Sequence, residues 1–216
     1  MSRRKRINLS LLLALLAFLS MFTGAMRQVR EQQAEYNAAQ SEYDELRDNF
    51  GTICPEVGVP NPAPGADIES SVTLVNFDAL FAINPNVVGW LVLPNSSINY
   101  PIVQGTDNRH YLRHTFRGQR NANGAIFLDY RDTPDFNSRA KVYGHNMRNN
   151  AMFGTLSRWT GERFYVHTPY EVIAFAVTWR GVLSLADIVA IDDGAALITC
   201  VNGRPNVRFV VRAVRL

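Results

Sequence analysis

Between Ile7 and Met26 the chain runs for twenty residues without one charged side chain, and Leu11, Leu12, Leu13, Leu15, Leu16, Phe18 and Leu19 crowd its centre. Such a run does not suit the surface of a soluble domain. At 1.5 Å per residue a helix of this length spans ~30 Å, the thickness of a bilayer's hydrocarbon core. Arg3, Arg4, Lys5 and Arg6 precede it, and a basic flank holds that end in the cytoplasm. A cleaved signal peptide would have a shorter apolar stretch ending in small residues, for which Thr23-Gly24-Ala25 offers a cleavage site. The length of the run, with a helix-forming segment directly behind it, favours an uncleaved anchor. Residues 1–6 are then a cytoplasmic basic tag and residues 7–26 a single pass through the cell membrane. On either reading residues 27–216 lie outside the cytoplasm.

The basic tag also explains a misleading bulk property. The pI is about 9.0, which invites a nucleic-acid reading, but four of the 22 cations lie in the tag, and the other 18 face 19 carboxylates. The charge is an end label and not a binding face, so nucleic acid is not an expected partner. Two cysteines make neither a disulfide scaffold nor a four-cysteine zinc site. With 47% hydrophobic residues the chain has enough apolar material for a packed core.

Residues 27–50 lack Pro and Gly, are rich in Gln, Glu, Ala and Arg, and read as helix. Val29, Tyr36, Tyr43 and Phe50 recur every seven residues, with Ala39 and Leu46 as partners; the pattern fits a short coiled-coil seam or, more simply, a solvated stalk. Residues 51–69 hold Pro55, Pro60, Pro62 and Pro64 and read as a semi-extended linker. The folded domain is expected over 70–216. Its pattern is mainly strand: a short helix at Asn76–Ile83, then strands at Val87–Leu93, Ile98–Val103, Ala125–Asp129, Ala140–Tyr143, Tyr165–His167, Glu171–Val177, Ile188–Ile191, Ala196–Val201 and Val207–Leu216. One or two helical turns are expected in Ala151–Trp159. Many short strands at close spacing favour a barrel or sandwich over a βαβ sheet.

Cys200 is the strongest candidate for chemistry. It ends an apolar strand, and Asn202-Gly203-Arg204-Pro205 turns the chain back towards Val207-Arg208-Phe209. A hairpin centred on Arg204 would set residues 200 and 208 opposite each other on one face. A guanidinium there favours the thiolate and can steady an oxyanion; a one-residue slip would separate the two. The plainer readings are an inert core cysteine or a disulfide with Cys54, although Cys54 lies in the Pro-rich linker. A thiolate nucleophile also needs an acid. His145 stands at a strand end in Tyr143-Gly144-His145-Asn146-Met147. His110 and His114 lie four apart, a zinc-compatible spacing, but Tyr-Leu-Arg between them lacks the protease glutamate and no third ligand is marked. They read as surface residues, and His167, at a strand end before Thr168-Pro169, carries no signal of chemistry, so no metal or other cofactor is expected.

These motifs together resemble a sortase. The match lies in Tyr143-Gly144-His145-Asn146-Met147, Met152-Phe153-Gly154, Leu197-Ile198-Thr199-Cys200 and Arg208-Phe209-Val210-Val211. Asn84-Pro85-Asn86-Val87-Val88-Gly89-Trp90, Tyr100-Pro101-Ile102-Val103-Gln104, Asp107-Asn108 with Tyr111-Leu112, and Gly124–Arg131 resemble class B. The order and spacing of these pieces from about Phe77 to the C-terminus make the resemblance specific. It implies an eight-stranded sortase-type β-barrel with short helices and a membrane-anchored cysteine transpeptidase. Such an enzyme cleaves a Thr–Gly or Thr–Asn bond in the C-terminal sorting motif of a surface protein through an acyl-thioester. An amine of a peptidoglycan precursor or cross-bridge then takes the acyl group. Carried over by motif, Cys200 is the nucleophile, His145 the general acid and later base, and Arg208 the carbonyl or oxyanion stabiliser; Asn108, Leu112 and Tyr143 line the substrate groove.

Two departures stand out. Class B members usually carry a long helix-containing insertion before the Cys strand, whereas Pro169–Thr199 is only 31 residues long. Members also often have Ser where this chain has Ile198. The alternatives from other classes are a hydrolytic cysteine protease and a catalytically degenerate binding module. Papain-like proteases order Cys before His and add an orienting Asn or Asp; the order here is His, Cys, Arg.

Overall fold

A computed structural model describes residues 3–50 and 75–216. The expected linker, the boundary at Ser70 and Cys54 lie outside the described residues. The chain divides into two compact units, residues 1–38 and 39–216, and helix α1 (Arg3–Phe50) contributes to both. In the first unit Leu12, Leu13, Leu15, Leu16, Phe18 and Leu19 are all exposed. Among the described residues, α1 is the one helix long and apolar enough to cross a membrane.

The last turns of α1 are not a solvated stalk. Ala39, Tyr43 and Leu46 are buried within the second unit, Leu46 at 0% exposure. The Tyr43 hydroxyl donates to the Gly124 carbonyl (2.8 Å) and accepts from the Phe116 backbone N–H (3.1 Å). Burial is the main reason its phenol is held well above the ordinary tyrosine range. Arg117 adds an ion pair to Glu45 (2.8 Å), and its backbone N–H donates to Glu42. The three- and four-residue spacing of Ala39, Tyr43 and Leu46 is the apolar stripe of a helix lying on a core, so these positions serve packing within the second unit, whereas Val29 is exposed.

The rest of the second unit is a closed barrel of eight strands. Helix α2 (Phe77–Ile83), capped by the Asn76 side chain on the Ala79 N–H, leads into β1 (Val87–Val92) and β2 (Asn99–Val103). They are followed by β3 (Ile126–Leu128), β4 (Arg139–Tyr143), β5 (Arg163–His167) and β6 (Val172–Ser184). Helix α3 (Leu185–Val189) then precedes β7 (Gly194–Val201) and β8 (Arg204–Arg215). The strand order around the barrel is β1-β2-β3-β4-β7-β8-β6-β5. The pairs β2–β3 and β4–β7 are parallel; the others are antiparallel.

Two sequence expectations are corrected here. Ile188–Ile191 is not a strand: Ile188 and Val189 belong to α3, and Ile191 lies in the turn behind it. Apolar β-branched residues suggested a strand, but the Ser184 hydroxyl accepts the Asp187 N–H while the Asp187 carboxylate accepts the Ser184 N–H, a reciprocal cap that starts a helix. Strand β6 also runs to Ser184 and not to Val177, because it keeps pairing with β8 past an irregularity at Val177–Trp179.

Alternation along β7 places the site. Ala195 and Leu197 point into the main core with Val211 and Ala213 of β8. Ala196 and Ile198 point to the other face, where Ile188, Ile191 and Val210 cover them in a second, smaller core. Cys200 continues the Ala196–Ile198 face at the strand end.

Candidate active site

The ends of β4 and β7 meet at Cys200, beside the first half of β8. The parallel β4–β7 pair sets Tyr143 beside Ile198, and beyond it the Gly144 N–H donates to the Ile198 carbonyl (3.1 Å). The buried Thr199 hydroxyl donates back to the Gly144 carbonyl (2.8 Å). A Cβ at Gly144 would lie 2.5 Å from Ile126 Cδ1 and 2.8 Å from the Phe153 ring, so this crossing requires glycine. His145 follows at once, its backbone carbonyl accepting the Phe153 N–H (2.9 Å). The Asn146 side chain donates to the Cys200 carbonyl (2.9 Å), which joins the two loops.

Cys200 is exposed and free of any disulfide among the described residues, which removes the buried-core reading. It pairs with Arg208 in the β7–β8 register, as the sequence expectation had it. The turn is not centred on Arg204, however. Val201 pairs with Arg204 around Asn202-Gly203, where Gly203 takes φ +72°, the left-handed conformation that glycine adopts without strain. Pro205, Asn206 and Val207 then bulge out before pairing with β7 resumes at Arg208. Pro205 has no N–H for a ladder, which suits it to a bulge. The Arg208 Nη1 donates to the carbonyls of Pro205 (2.7 Å) and Val207 (2.8 Å), so the bulge holds the guanidinium.

The His145 Nε2 lies 2.8 Å from the Leu112 carbonyl oxygen. A carbonyl only accepts, so Nε2 carries a proton and Nδ1 is the nitrogen left to exchange one. His110 and His114 stack on each other at 4.1 Å, and no cluster of three potential metal ligands occurs among the described residues.

A groove of about 280 Å³ joins these parts, and Asn108, Leu112, Tyr143, His145, Cys200 and Arg208 all line it. Every site residue expected from the sequence is therefore gathered in one place. The remaining wall was not anticipated: Phe127, Ile198 and Thr199 on the barrel side, and Leu185, Ile188 and Val189 from α3. Although the segment between β5 and β7 is short, α3 still supplies an apolar flank. The signal for it was the Ser184-Leu185-Ala186-Asp187 cap. Behind the groove, Asp129 is fully enclosed. Burial alone would raise its pKa, but hydrogen bonds from the Arg131 side chain and backbone and from the Asn108 side chain outweigh that and hold it at about 2.

Comparison with known proteins bears on the family and the fold. The Sortase domain family model matches residues 91–216. Sortase B of Listeria monocytogenes is 38% identical over 106 residues, covering 44% of this chain and 43% of that protein. Sortase B of Staphylococcus aureus is 37% identical over 100 residues, covering 46% and 40%. The chain thus spans less than half the length of these curated relatives. The solved complex of Staphylococcus aureus sortase B with substrate superposes with a TM-score of 0.58 at 23% identity, covering 65% of this chain and 84% of that one.

Proposed function

This chain belongs to the sortase family, and from that premise we propose that it is a membrane-anchored cysteine transpeptidase of the class B kind, with Cys200, His145 and Arg208 as its reacting groups. The observation that carries the reading is their meeting in one apolar groove, His145 just beyond β4, Cys200 near the end of β7 and Arg208 within β8. In the proposed reaction the Cys200 thiolate adds to the scissile carbonyl of a sorting motif. Arg208, held by the bulge, faces the negative charge that develops on the carbonyl oxygen. The tetrahedral adduct collapses to a thioester as the leaving amine takes a proton from His145 Nδ1. An acceptor amine of a peptidoglycan precursor or cross-bridge then gives its proton to the neutral His145, attacks the thioester and expels the thiolate. Asn108, Leu112 and Tyr143, which line the same groove, hold the peptide. In this reading α1 is a single-pass anchor with its basic end in the cytoplasm, and the substrates are sorting-motif-bearing surface proteins.

The test is residues 39–216 incubated with a panel of peptides containing Thr–Gly or Thr–Asn bonds, with and without triglycine. Amide product that rises with triglycine supports transfer. Cleavage that yields only the free acid at every amine concentration identifies a hydrolase, and no cleavage of any peptide points to a degenerate binding module.

A further inference from the structure

Two of the groove residues are not positioned by the groove itself. The enclosed Asp129 carboxylate receives the Arg131 fork, Nε on Oδ1 (2.9 Å) and Nη2 on Oδ2 (2.8 Å), and the Arg131 backbone N–H on Oδ1 (3.1 Å). Its Oδ2 also accepts the Tyr143 hydroxyl (3.2 Å). The Asn108 Oδ1 accepts the N–H of Tyr130 (3.1 Å), the residue between Asp129 and Arg131. The turn that the Asp129 carboxylate closes on the Arg131 N–H therefore also supplies the N–H that holds Asn108. Asp129 is itself tied in, its N–H to the Lys141 carbonyl (2.8 Å) and its carbonyl to Gln104 (2.9 Å). Asp129 and Arg131 do not line the groove; Asn108 and Tyr143 do, from opposite sides of the chain's order: a loop after β2 and the end of β4.

We propose that Asp129, clamped by Arg131, is a positioning residue that presents Asn108 and Tyr143 to the bound peptide. One buried anion holds the Tyr143 hydroxyl directly and Asn108 through the Tyr130 N–H, and a fixed pair loses less freedom when the peptide binds. Burial and the neighbouring Asp129 charge keep the Tyr143 phenol protonated and therefore able to donate. The inference rests on the transpeptidase reading for its kinetic consequence but not for its structural one.

The test measures both. Asp129→Asn keeps the side-chain shape and removes the charge. Its KM for the best-cleaved peptide of the panel should rise roughly tenfold with kcat within ~2-fold, the pattern of lost binding that ground and transition states share. In the double variant with Asn108→Ala the two KM effects should not multiply, because they act through one contact. The second readout needs no substrate: the Tyr130 backbone amide resonance of the wild-type protein should be slow to exchange, because that N–H donates to Asn108, and should lose this protection in Asp129→Asn. Arg131→Gln, at a half-exposed position, should do the same in part and guards against misfolding of the first variant. An unchanged Tyr130 amide resonance in a folded variant overturns the inference. So does an unchanged KM where the wild type turns over. Absence of turnover in the wild type instead counts against the transpeptidase reading, and the Tyr130 resonance alone then decides the role of Asp129.

Discussion

Cys200 stands opposite Arg208, although the turn between their strands, continued regularly from the Val201–Arg204 pair, would set Cys200 against Pro205. The three-residue bulge at Pro205–Val207 makes the difference, and the Arg208 guanidinium closes it by bonding two of its carbonyls. The residue proposed to steady the oxyanion is therefore also the residue that caps the bulge.

Arg208→Ala is expected to lower peptide turnover by ~100-fold or more, as loss of an oxyanion donor does. Arg208→Lys should recover part of that, since an ammonium lacks the planar fork. Arg212 shares the strand face but is ~13 Å further along, and it pairs with Asp193 (2.7 Å). Arg212→Ala should leave turnover close to normal. Peptide-cleavage rates with circular dichroism on each variant decide it, and near-normal turnover in folded Arg208→Ala removes that residue from the chemistry.

The end of α1 makes a separate claim. Residues 39–216 should fold as a stable domain, whereas residues 70–216 lack Tyr43 and Leu46 and should be markedly less stable. Tyr43→Phe keeps the ring but strands the Phe116 N–H and the Gly124 carbonyl, at a cost of ~1–3 kcal/mol. Urea unfolding of the three proteins checks this. Equal midpoints for the 39–216 and 70–216 chains would show that the helix end contributes no core.

Much of this was legible in the sequence because the strands obey local rules. Turn residues punctuate them, and the catalytic candidates sit where strands end. What was not legible depends on tertiary contacts. The spacing of Tyr43 and Leu46 fits a seam or a core stripe equally well until a barrel lies against it. Isoleucines at 188 and 191 read as strand until the Ser184–Asp187 cap is weighed against their β-branching. Asp129 was visible within a motif, but nothing in its local sequence says that Tyr143 bonds to it or that Asn108 bonds to the next residue's N–H.

Stability should fall in mild acid. His167 is buried at 2% exposure, and burial lowers its pKa to about 4 from the usual 6.5. Between those values the unfolded chain binds a proton that the folded chain refuses, so this contribution is complete above pH 6.5 and is lost as pH falls towards 4. The slope is at most about 1.4 kcal/mol per pH unit. Urea titrations from pH 7 to pH 4 should show this slope flattened in His167→Gln. The same slope in both proteins would mean that another group is responsible. Asp129 acts in a separate, lower window, since its depressed pKa matters only below the ordinary carboxylate range.

The most direct measurement is the intact mass of residues 39–216 after brief incubation with a cleavable sorting-motif peptide and no acceptor amine, quenched in acid. The expected result is a new species heavier by the acyl fragment, mapped to Cys200, discharged by added triglycine, and missing in Cys200→Ala. Cleavage of the peptide that persists in Cys200→Ala, or an acyl adduct mapped to any other residue, would contradict the assignment of Cys200 as the nucleophile.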